Sequence, residues 1–135
     1  MIIDSSAIMC LLNREPDRDR VLDCMSLTLP RRMSTATASE LFAVVTRSRS
    51  PGWGVIETLI DSFRIEIVPY DSIQLAAFQH AYAHYGRGGH NSSQARLNLG
   101  DCFSYALAAT VGEPLLYVGD DFRHTDIRSA LDAYC

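Results

Sequence analysis

Short apolar runs alternate with longer segments of helical periodicity along most of the chain. The runs at 2–3, 65–68 and 115–118 are typical of buried strands, because they are short and rich in Ile, Leu and Val. Between them, apolar residues recur every three or four positions, which is typical of helices that bury one face. This pattern predicts helices over 6–13, 16–27, 35–47, 55–63, 72–85 and 99–111, an extended piece at 32–34, and a last short strand or helical turn within 126–134.

The alternation of strands and helices predicts an α/β fold, with a mainly parallel sheet of four to five strands between helices. At 135 residues the chain is close to the usual size of one domain, so we expect a single domain over 1–135. Ligands of open parallel sheets bind beyond the carboxyl ends of the strands. Asp4, Asp120 and Asp121 each follow a predicted strand, so we expect them at that edge.

Composition narrows the classes of protein to consider. Apolar residues make up 47% of the chain and charged residues 21%, which is too apolar for a disordered protein. No apolar run reaches the roughly 18 residues of a membrane helix, and no basic leader opens the chain. We therefore expect a cytoplasmic protein without membrane contact. The cysteines lack zinc-site spacing and are interpreted as reduced thiols in small apolar spaces: Cys10, Cys24, Cys102 and Cys135.

The formal net charge of −4 argues against a protein that binds nucleic acid through a broad basic face. If the substrate is a polynucleotide, its phosphates have to be received by metal ions and a few local arginines. The glycine-rich loop at 87–94 offers Arg87 and His90, and Arg96 follows it. A solvated loop explains these residues equally well, so both interpretations stay open.

Several acids at predicted element ends have a structural explanation beside a functional one. Asp4 can cap the helix that follows it. Asn98 can cap the helix at 99–111, which places Asp101 at its third position, where an acid interacts favourably with the helix dipole. The aspartate pair after the strand at 115–118 is compatible with a simple turn. Each acid alone is therefore weak evidence for a site.

Glu40 is harder to explain by structure alone. Its neighbours in the predicted helix are small or apolar, and no Lys or Arg stands three or four residues away to pair with it. A carboxylate that faces inward without a cation is unfavourable unless something coordinates it, whereas a Glu that reaches solvent is not. Acids that cluster repel one another, and a divalent cation is the usual agent that offsets the repulsion.

The segment LNLGDCFSYALA at 97–108 resembles the signature of PIN-domain ribonucleases, specifically the VapC toxins of bacterial toxin–antitoxin pairs. The segments IDSSA at 3–7, ASE at 38–40 and EPLL with GDDF between 113 and 122 resemble the same family in the same order. The resemblance covers essentially the whole chain. It implies a PIN-like three-layer fold with a twisted sheet, and an endoribonuclease toxin that inhibits translation and growth until an antitoxin neutralises it.

The resemblance places the family's acidic set on Asp4, Glu40, Asp101 and one member of the aspartate pair. We favour Asp121, because it directly precedes Phe122, and keep Asp120 as the alternate. Such carboxylates suit Mg²⁺ or Mn²⁺, and a bound metal activates water for attack on a phosphodiester. In this interpretation Asp4 and Asp101 bind the metal directly, Glu40 and Asp121 bind a second ion or orient water, and the Ser6 hydroxyl holds a neighbouring carboxylate.

The resemblance also implies partners: a VapB-like antitoxin that blocks the acidic site, a second copy of the chain in a homodimer, and operator DNA bound only through the antitoxin. The apolar helices near 36–45 and 55–63 offer surfaces for both protein partners. Trp53 either stacks a base of the RNA or packs against a partner. His80 and His84 share a helix face without a third acidic ligand, so we interpret them as surface or partner contacts, and His124 as a substrate contact.

Two other functions remain open from the residues alone. One is a structure-specific DNA nuclease, because nothing in the chain identifies a group that reads the 2′-hydroxyl. The other is a catalytically silent PIN-like module that acts only by binding its antitoxin. The presence of all four acids argues against the silent module.

Overall fold

The computed structural model describes residues 1–48, 52–88 and 93–135, and in that part of the chain it contains four strands and seven helices. His90 lies outside the described residues, and so do residues 49–51, which belong to the interval between the helices predicted at 35–47 and 55–63. The elements are, in chain order, β1 (Ile2–Ile3), α1 (Ser5–Asn13), α2 (Arg18–Met25), β2 (Arg31–Ser34), α3 (Thr35–Ser48), α4 (Trp53–Ser62), β3 (Ile65–Val68), α5 (Ser72–Tyr85), α6 (Leu99–Val111), β4 (Leu115–Leu116) and α7 (Ala130–Tyr134).

The four strands pair in parallel in the order β3-β2-β1-β4. In the central strand β1, Ile2 lies opposite Arg32 of β2 and Leu115 of β4. Because side chains alternate along a strand, Ile2 and Leu115 belong to one core cluster while Ile3 and Leu116 belong to the other. Both faces of the sheet centre are therefore buried, which confirms the predicted α/β class.

Helices cover both faces of the sheet. The core on the Ile3 side is built with buried residues of α1, α2, α3, α4 and α7, and the core on the Ile2 side with those of α5 and α6. Helices α1 and α3 begin directly after β1 and β2. The carboxyl ends of these two strands consequently meet helix N-termini, which is where parallel sheets bind ligands.

The predicted ends of α5 and α6 are confirmed. The Asp71 carboxylate accepts a hydrogen bond from the backbone N–H of Gln74 at 2.9 Å, and Gly86 ends α5. Asn98 caps α6, and Gly112 ends it with φ of +71°, a left-handed conformation that favours glycine. None of the helices that the structure describes combines the length and apolarity needed to cross a lipid bilayer.

Several element bounds differ from the sequence prediction by one or two residues, and two of the differences have a clear physical cause. Helix α2 begins at Arg18 instead of Pro16, because a hydrogen bond of 3.0 Å from the Arg18 N–H to the Glu15 carbonyl closes a turn there first. Strand β4 ends at Leu116 instead of Val118. The Val118 N–H donates to the Ser6 hydroxyl at 3.1 Å, so it leaves the ladder for a side-chain partner.

Only part of the apolar surface of α5 is buried. Leu75 and Tyr82 are exposed, and Ala81 and the half-buried Phe78 and Tyr85 make the contact with the core below. The reason is that α5 packs mainly on α6, so only a narrow strip of its surface is covered.

The interpretation of all four cysteines as reduced thiols is wrong for two of them. Cys24 of α2 and Cys135, which follows α7, form a disulfide with their Cα atoms 5.8 Å apart. Cys10 and Cys102 are buried free thiols, as expected. The bonded pair is separated by 111 positions, so only the packing of α7 on α2 brings these residues together.

Candidate active site

Asp4 stands where β1 ends and α1 begins. Its carboxylate Oδ2 accepts hydrogen bonds from the Ser6 backbone N–H at 2.9 Å and from the Ser6 hydroxyl at 2.6 Å. The Ser6 hydroxyl oxygen in turn accepts the Val118 N–H, which ties the site to the chain after β4. Asp4 is only 2% exposed, and its second oxygen, Oδ1, is buried without a hydrogen-bond donor. Such an oxygen is unfavourable unless a cation or water reaches it.

Asp101 lies in the first turn of α6, where it forms a capping box with Asn98. The Asn98 N–H donates to Asp101 Oδ2 at 2.7 Å, and the Asp101 N–H donates to Asn98 Oδ1 at 2.9 Å. The side chain is 8% exposed. The structural role predicted for Asp101 is therefore confirmed, and the box fixes the carboxylate at the helix start.

The electrostatics of Asp101 connect it to the other acids. Burial raises its pKa from 3.8 to about 7, although the hydrogen bond from the Asn98 backbone acts in the opposite direction. The charges of Asp4, Asp121 and Glu40 contribute a smaller part of this increase. Three acids from distant parts of the chain thus act on a fourth, which is the convergence that the sequence pattern predicted.

Glu40 projects from α3 towards the first turn of α6. A Cβ atom on Gly100 would overlap the Glu40 carboxylate, so the carboxylate fills the space that a glycine leaves open. The Ser5 hydroxyl donates to Glu40 Oε2 at 3.4 Å. Burial, and then the charge of Asp4, raise the pKa of Glu40. Sequence reasoning missed Ser5 and Gly100, whose only signal was their position beside Asp4 and Asp101.

The two aspartates after β4 have different surroundings. The Asp120 carboxylate forms an ion pair with Arg123 at 3.3 Å, on the surface. Asp121 is exposed, and its charge acts on Asp101. Among the ion pairs of the described residues, none involves Asp4, Glu40, Asp101 or Asp121.

The donor set can be tested for a divalent cation. Within 1–48, 52–88 and 93–135, no group of three His, Cys, Asp or Glu side chains is placed so that it could hold a metal ion. Two observations nevertheless fit a hard cation: the buried Asp4 Oδ1 lacks a hydrogen-bond donor, and no arginine in the described part of the chain forms an ion pair with the acids that repel one another. Carboxylate oxygens are the ligands that Mg²⁺ and Mn²⁺ prefer.

The predicted substrate contacts lie in the segment that leads into α6. Arg87 Nε donates to the Arg96 carbonyl at 2.8 Å, and the Arg96 guanidinium donates to the carbonyls of Ser93 and Ala95 at 2.9 and 2.7 Å. These bonds brace the segment, and none of them reaches an acid of the site. The His124 carbonyl accepts the Ser93 hydroxyl at 3.0 Å. The substrate role of these residues, and of His90, stays a prediction.

Helix α5 carries the histidine pair on its exposed side. The rings of His80 and His84 stack with centroids 4.1 Å apart, and His84 Nδ1 lies 2.9 Å from the His80 carbonyl. Both side chains are exposed. Their interpretation as surface or partner contacts is compatible with this placement.

Comparison with known proteins tests the family assignment that the sequence motifs suggest. The PIN domain model matches residues 1–128. Ribonuclease VapC42 of Mycobacterium tuberculosis is 42% identical over 132 residues, which cover 96% of this chain and 98% of that protein. The chain belongs to the PIN-domain family of VapC ribonucleases. The resemblance of its motifs to VapC toxins is confirmed.

Solved structures show the same fold. The crystal structure of the toxin VapC20 of Mycobacterium tuberculosis, which cleaves the sarcin–ricin loop, aligns with this PIN domain at a TM-score of 0.67. A toxin–antitoxin complex from Klebsiella pneumoniae aligns at 0.65. The two alignments cover 94% and 96% of this chain and 98% and 96% of the other chains, at 13% and 12% identity. The predicted PIN-like architecture is therefore confirmed.

Proposed function

We propose that this VapC-family chain is a metal-dependent endoribonuclease toxin, with its acidic site formed by Asp4, Glu40, Asp101 and Asp121. The proposal rests chiefly on one observation: the Glu40 carboxylate accepts a hydrogen bond from Ser5, next to Asp4, and fills the space left open by Gly100, next to Asp101. Residues 1–135 act as a single PIN domain in this proposal, of which the family model matches 1–128. The cytoplasm is its proposed location, because its substrate is cellular RNA.

The cofactor in this proposal is Mg²⁺ or Mn²⁺. Asp4 and Asp101 hold it directly, while Glu40 and Asp121 hold a second ion or orient water. When bound, the metal lowers the pKa of a water and offsets the charge that develops on the phosphate. The buried Asp4 Oδ1 supports Asp4 as a ligand, since a ligand oxygen needs no protein donor.

The chain's other residues keep these acids in place. Ser6 fixes one oxygen of Asp4, and leaves Oδ1 as the oxygen that can bind a cation. The capping box fixes Asp101, and the missing side chain of Gly100 lets Glu40 approach the helix start. Asp121 is a better candidate than Asp120 for the fourth acid, because Asp120 is paired with Arg123.

The same proposal includes a VapB-like antitoxin and a homodimer, with operator DNA bound through the antitoxin. An exposed apolar surface supports a protein partner. It surrounds a cavity of about 380 Å³ lined by Thr35, Ala38, Ser39, Phe42, Trp53 and Ile67. Phe42 is 48% exposed, and its ring meets Trp53 edge-on at 5.2 Å, so Trp53 packs within this surface. Exposed patches of this kind mark interaction sites.

The test is cleavage of labelled RNA by wild type, Asp4→Asn and Asp101→Asn with Mg²⁺ or Mn²⁺. We expect both substitutions to abolish cleavage, while Asp19→Asn, which removes an exposed carboxylate of α2, leaves it unchanged. Equal cleavage by wild type and both site variants would remove the assignment. An intact site that cleaves DNA in preference to RNA would favour the structure-specific DNA nuclease, and no activity on either would favour the silent module.

Thermal unfolding gives a second readout that does not depend on a substrate. Because a cation relieves repulsion between the acids in the folded state, Mn²⁺ should raise the melting temperature of the wild type. The increase should shrink in Asp4→Asn and Asp101→Asn and persist in Asp19→Asn. A wild-type titration without a shift would count against a metal at these residues.

A further inference from the structure

A cavity of about 950 Å³ lies beyond the carboxyl end of β4, between α2, the loop at 119–123 and α7. Its size is within the range of ligand-binding cavities. Three arginines surround it, Arg20, Arg123 and Arg128, and Tyr117 and Phe122 supply aromatic rings. None of these residues belongs to the acidic site.

The loop at 119–123 separates this cavity from the acidic site. Asp120, Phe122 and Arg123 line the cavity, while the charge of Asp121 acts on Asp101. A hydrogen bond fixes the main chain at Arg128, on another side of the cavity, because the Arg128 carbonyl accepts the Leu115 N–H of β4 at 2.9 Å. Asp121 is therefore flanked in the chain by two residues that line the cavity, Asp120 and Phe122.

We propose that this cavity, which we call the arginine groove, binds the single-stranded RNA next to the cleaved bond. The inference rests on the proposed ribonuclease function and adds a binding site to it. In this groove the guanidinium groups of Arg123, Arg128 and Arg20 receive phosphates, and the exposed part of the Tyr117 ring stacks on a base.

The lining of the groove sets its three arginines against three carboxylates, Asp17, Asp120 and Asp132, so a bound anion has to compete with these carboxylates for the arginines. All 12 basic residues of the chain are arginines, whose planar fork matches phosphate oxygens. Arg20 contacts Asp132 at 3.5 Å, and Arg123 contacts Asp120 at 3.3 Å, through one nitrogen each. These contacts are longer than the roughly 2.7–2.9 Å of strong charge-assisted bonds, so a phosphate can share or replace them. Arg128 donates to the Gly112 carbonyl at 3.3 Å.

The two aromatic rings of the groove, those of Tyr117 and Phe122, suit an unpaired base. The Tyr117 and Phe122 rings lie 4.9 Å apart, and Phe122 is buried beneath the surface, so it holds the half-buried Tyr117 in position. Unpaired bases of RNA commonly stack on tyrosine, and this contact tolerates any base sequence. The combination of phosphate-binding arginines and one stacking ring is typical of single-strand binding.

The experiment measures binding of a labelled single-stranded RNA oligonucleotide to the full chain carrying Asp101→Asn, which prevents cleavage. In that background, Arg123→Gln and Arg128→Gln should each raise Kd about fivefold or more, and the slope of log Kd against log salt should fall by about 0.7 for each arginine lost. Tyr117→Ala should weaken binding, and Tyr117→Phe should retain it, because the ring is kept.

Two further variants sharpen the result. Arg47→Gln, in the last turn of α3 and outside the groove, should leave Kd and the salt slope unchanged. Asp120→Asn should lower Kd, because it removes the carboxylate that competes for Arg123. Melting temperatures check that every variant is folded, which we expect since these side chains are exposed or only partly buried.

The possible failures are distinguishable. If wild type cleaves RNA and the Arg123, Arg128 and Tyr117 variants bind like Arg47→Gln, the arginine groove is not the binding site and the proposed function stands. If wild type neither cleaves nor binds RNA, the proposed function fails and the groove proposal falls with it. If the groove variants lower kcat while Kd is unchanged, the groove proposal is also refuted.

Discussion

One methyl group added at Gly100 should lower the cleavage activity and leave the stability of the fold nearly unchanged. A Cβ atom there would overlap the carboxylate of Glu40. The Ser5 hydroxyl holds Glu40 through a long hydrogen bond of 3.4 Å, so the carboxylate can swing aside at little cost. Displacing a catalytic group by about 1 Å can lower a rate about a hundredfold. We therefore expect Gly100→Ala to reduce kcat for RNA cleavage by about that factor.

The same substitution should have little effect on the fold. Gly100 is the second residue of α6, and Ala is more favourable than Gly in helix interiors by up to about 1 kcal/mol. The overlap involves the flexible end of a side chain and is relieved by its rotation. These two contributions oppose each other, so the free energy of unfolding should change by less than about 1 kcal/mol in either direction.

The assay compares Gly100→Ala with Gly54→Ala as a matched control. Gly54 lies in α4 with no atom within 4 Å of an added Cβ, so its substitution should stabilise the helix and leave cleavage unchanged. Initial rates with labelled RNA give kcat, and denaturant titration gives the free energy of unfolding. If the Gly100→Ala protein folds and keeps the wild-type kcat, the placement of Glu40 in the active site is refuted. If the variant does not fold, the assumption that the Glu40 side chain rotates away from the added methyl group is refuted.

Three further predictions concern stability and the choice of acid. Reduction of the Cys24–Cys135 disulfide should lower the free energy of unfolding by up to about 5 kcal/mol, because the bond closes a loop of 111 positions. Denaturant titration with and without a dithiol measures this difference. The prediction is contradicted if the Cys24→Ser variant, which cannot form the bond, is as stable as the oxidised wild type. In metal-free protein, Asp101 keeps between about pH 4 and 7 a proton that the unfolded chain has lost, so stability should fall as pH rises through that window and Asp101→Asn should flatten the curve. Cleavage should fall more in Asp121→Asn than in Asp120→Asn, and the reverse order would exchange their roles.

Most of the helices and strands follow from local pattern. Helix α6 is predicted to the residue, because Asn98 and Gly112 carry strong capping signals at both ends. Helix α2 starts later than predicted, since a turn at Glu15 competes with the proline signal. Strand β4 is shorter than predicted because its continuation at Val118 bonds to the Ser6 side chain, which is a distant partner that no local pattern reveals.

For the candidate site as well, some features follow from the sequence and others depend on contacts between distant segments. Its four acids are visible in the sequence because they stand at element ends or lack a local cation, and the motif at 97–108 identifies the family. The contributions of Ser5 and Gly100 come from contacts with Glu40, which lies 35 and 60 positions away along the chain. The pKa of Asp101 likewise depends on its burial and on charges from three other segments.

The order of apolar and polar residues by itself determined the class of fold and where the acids stand, because helix and strand periodicity and capping are short-range effects. Tertiary packing alone decided that Cys24 meets Cys135, that Glu40 lies against Gly100, and that three arginines surround one cavity. These facts depend on contacts between segments far apart in the chain. Such contacts form only when the sheet and its helices bury their apolar faces together.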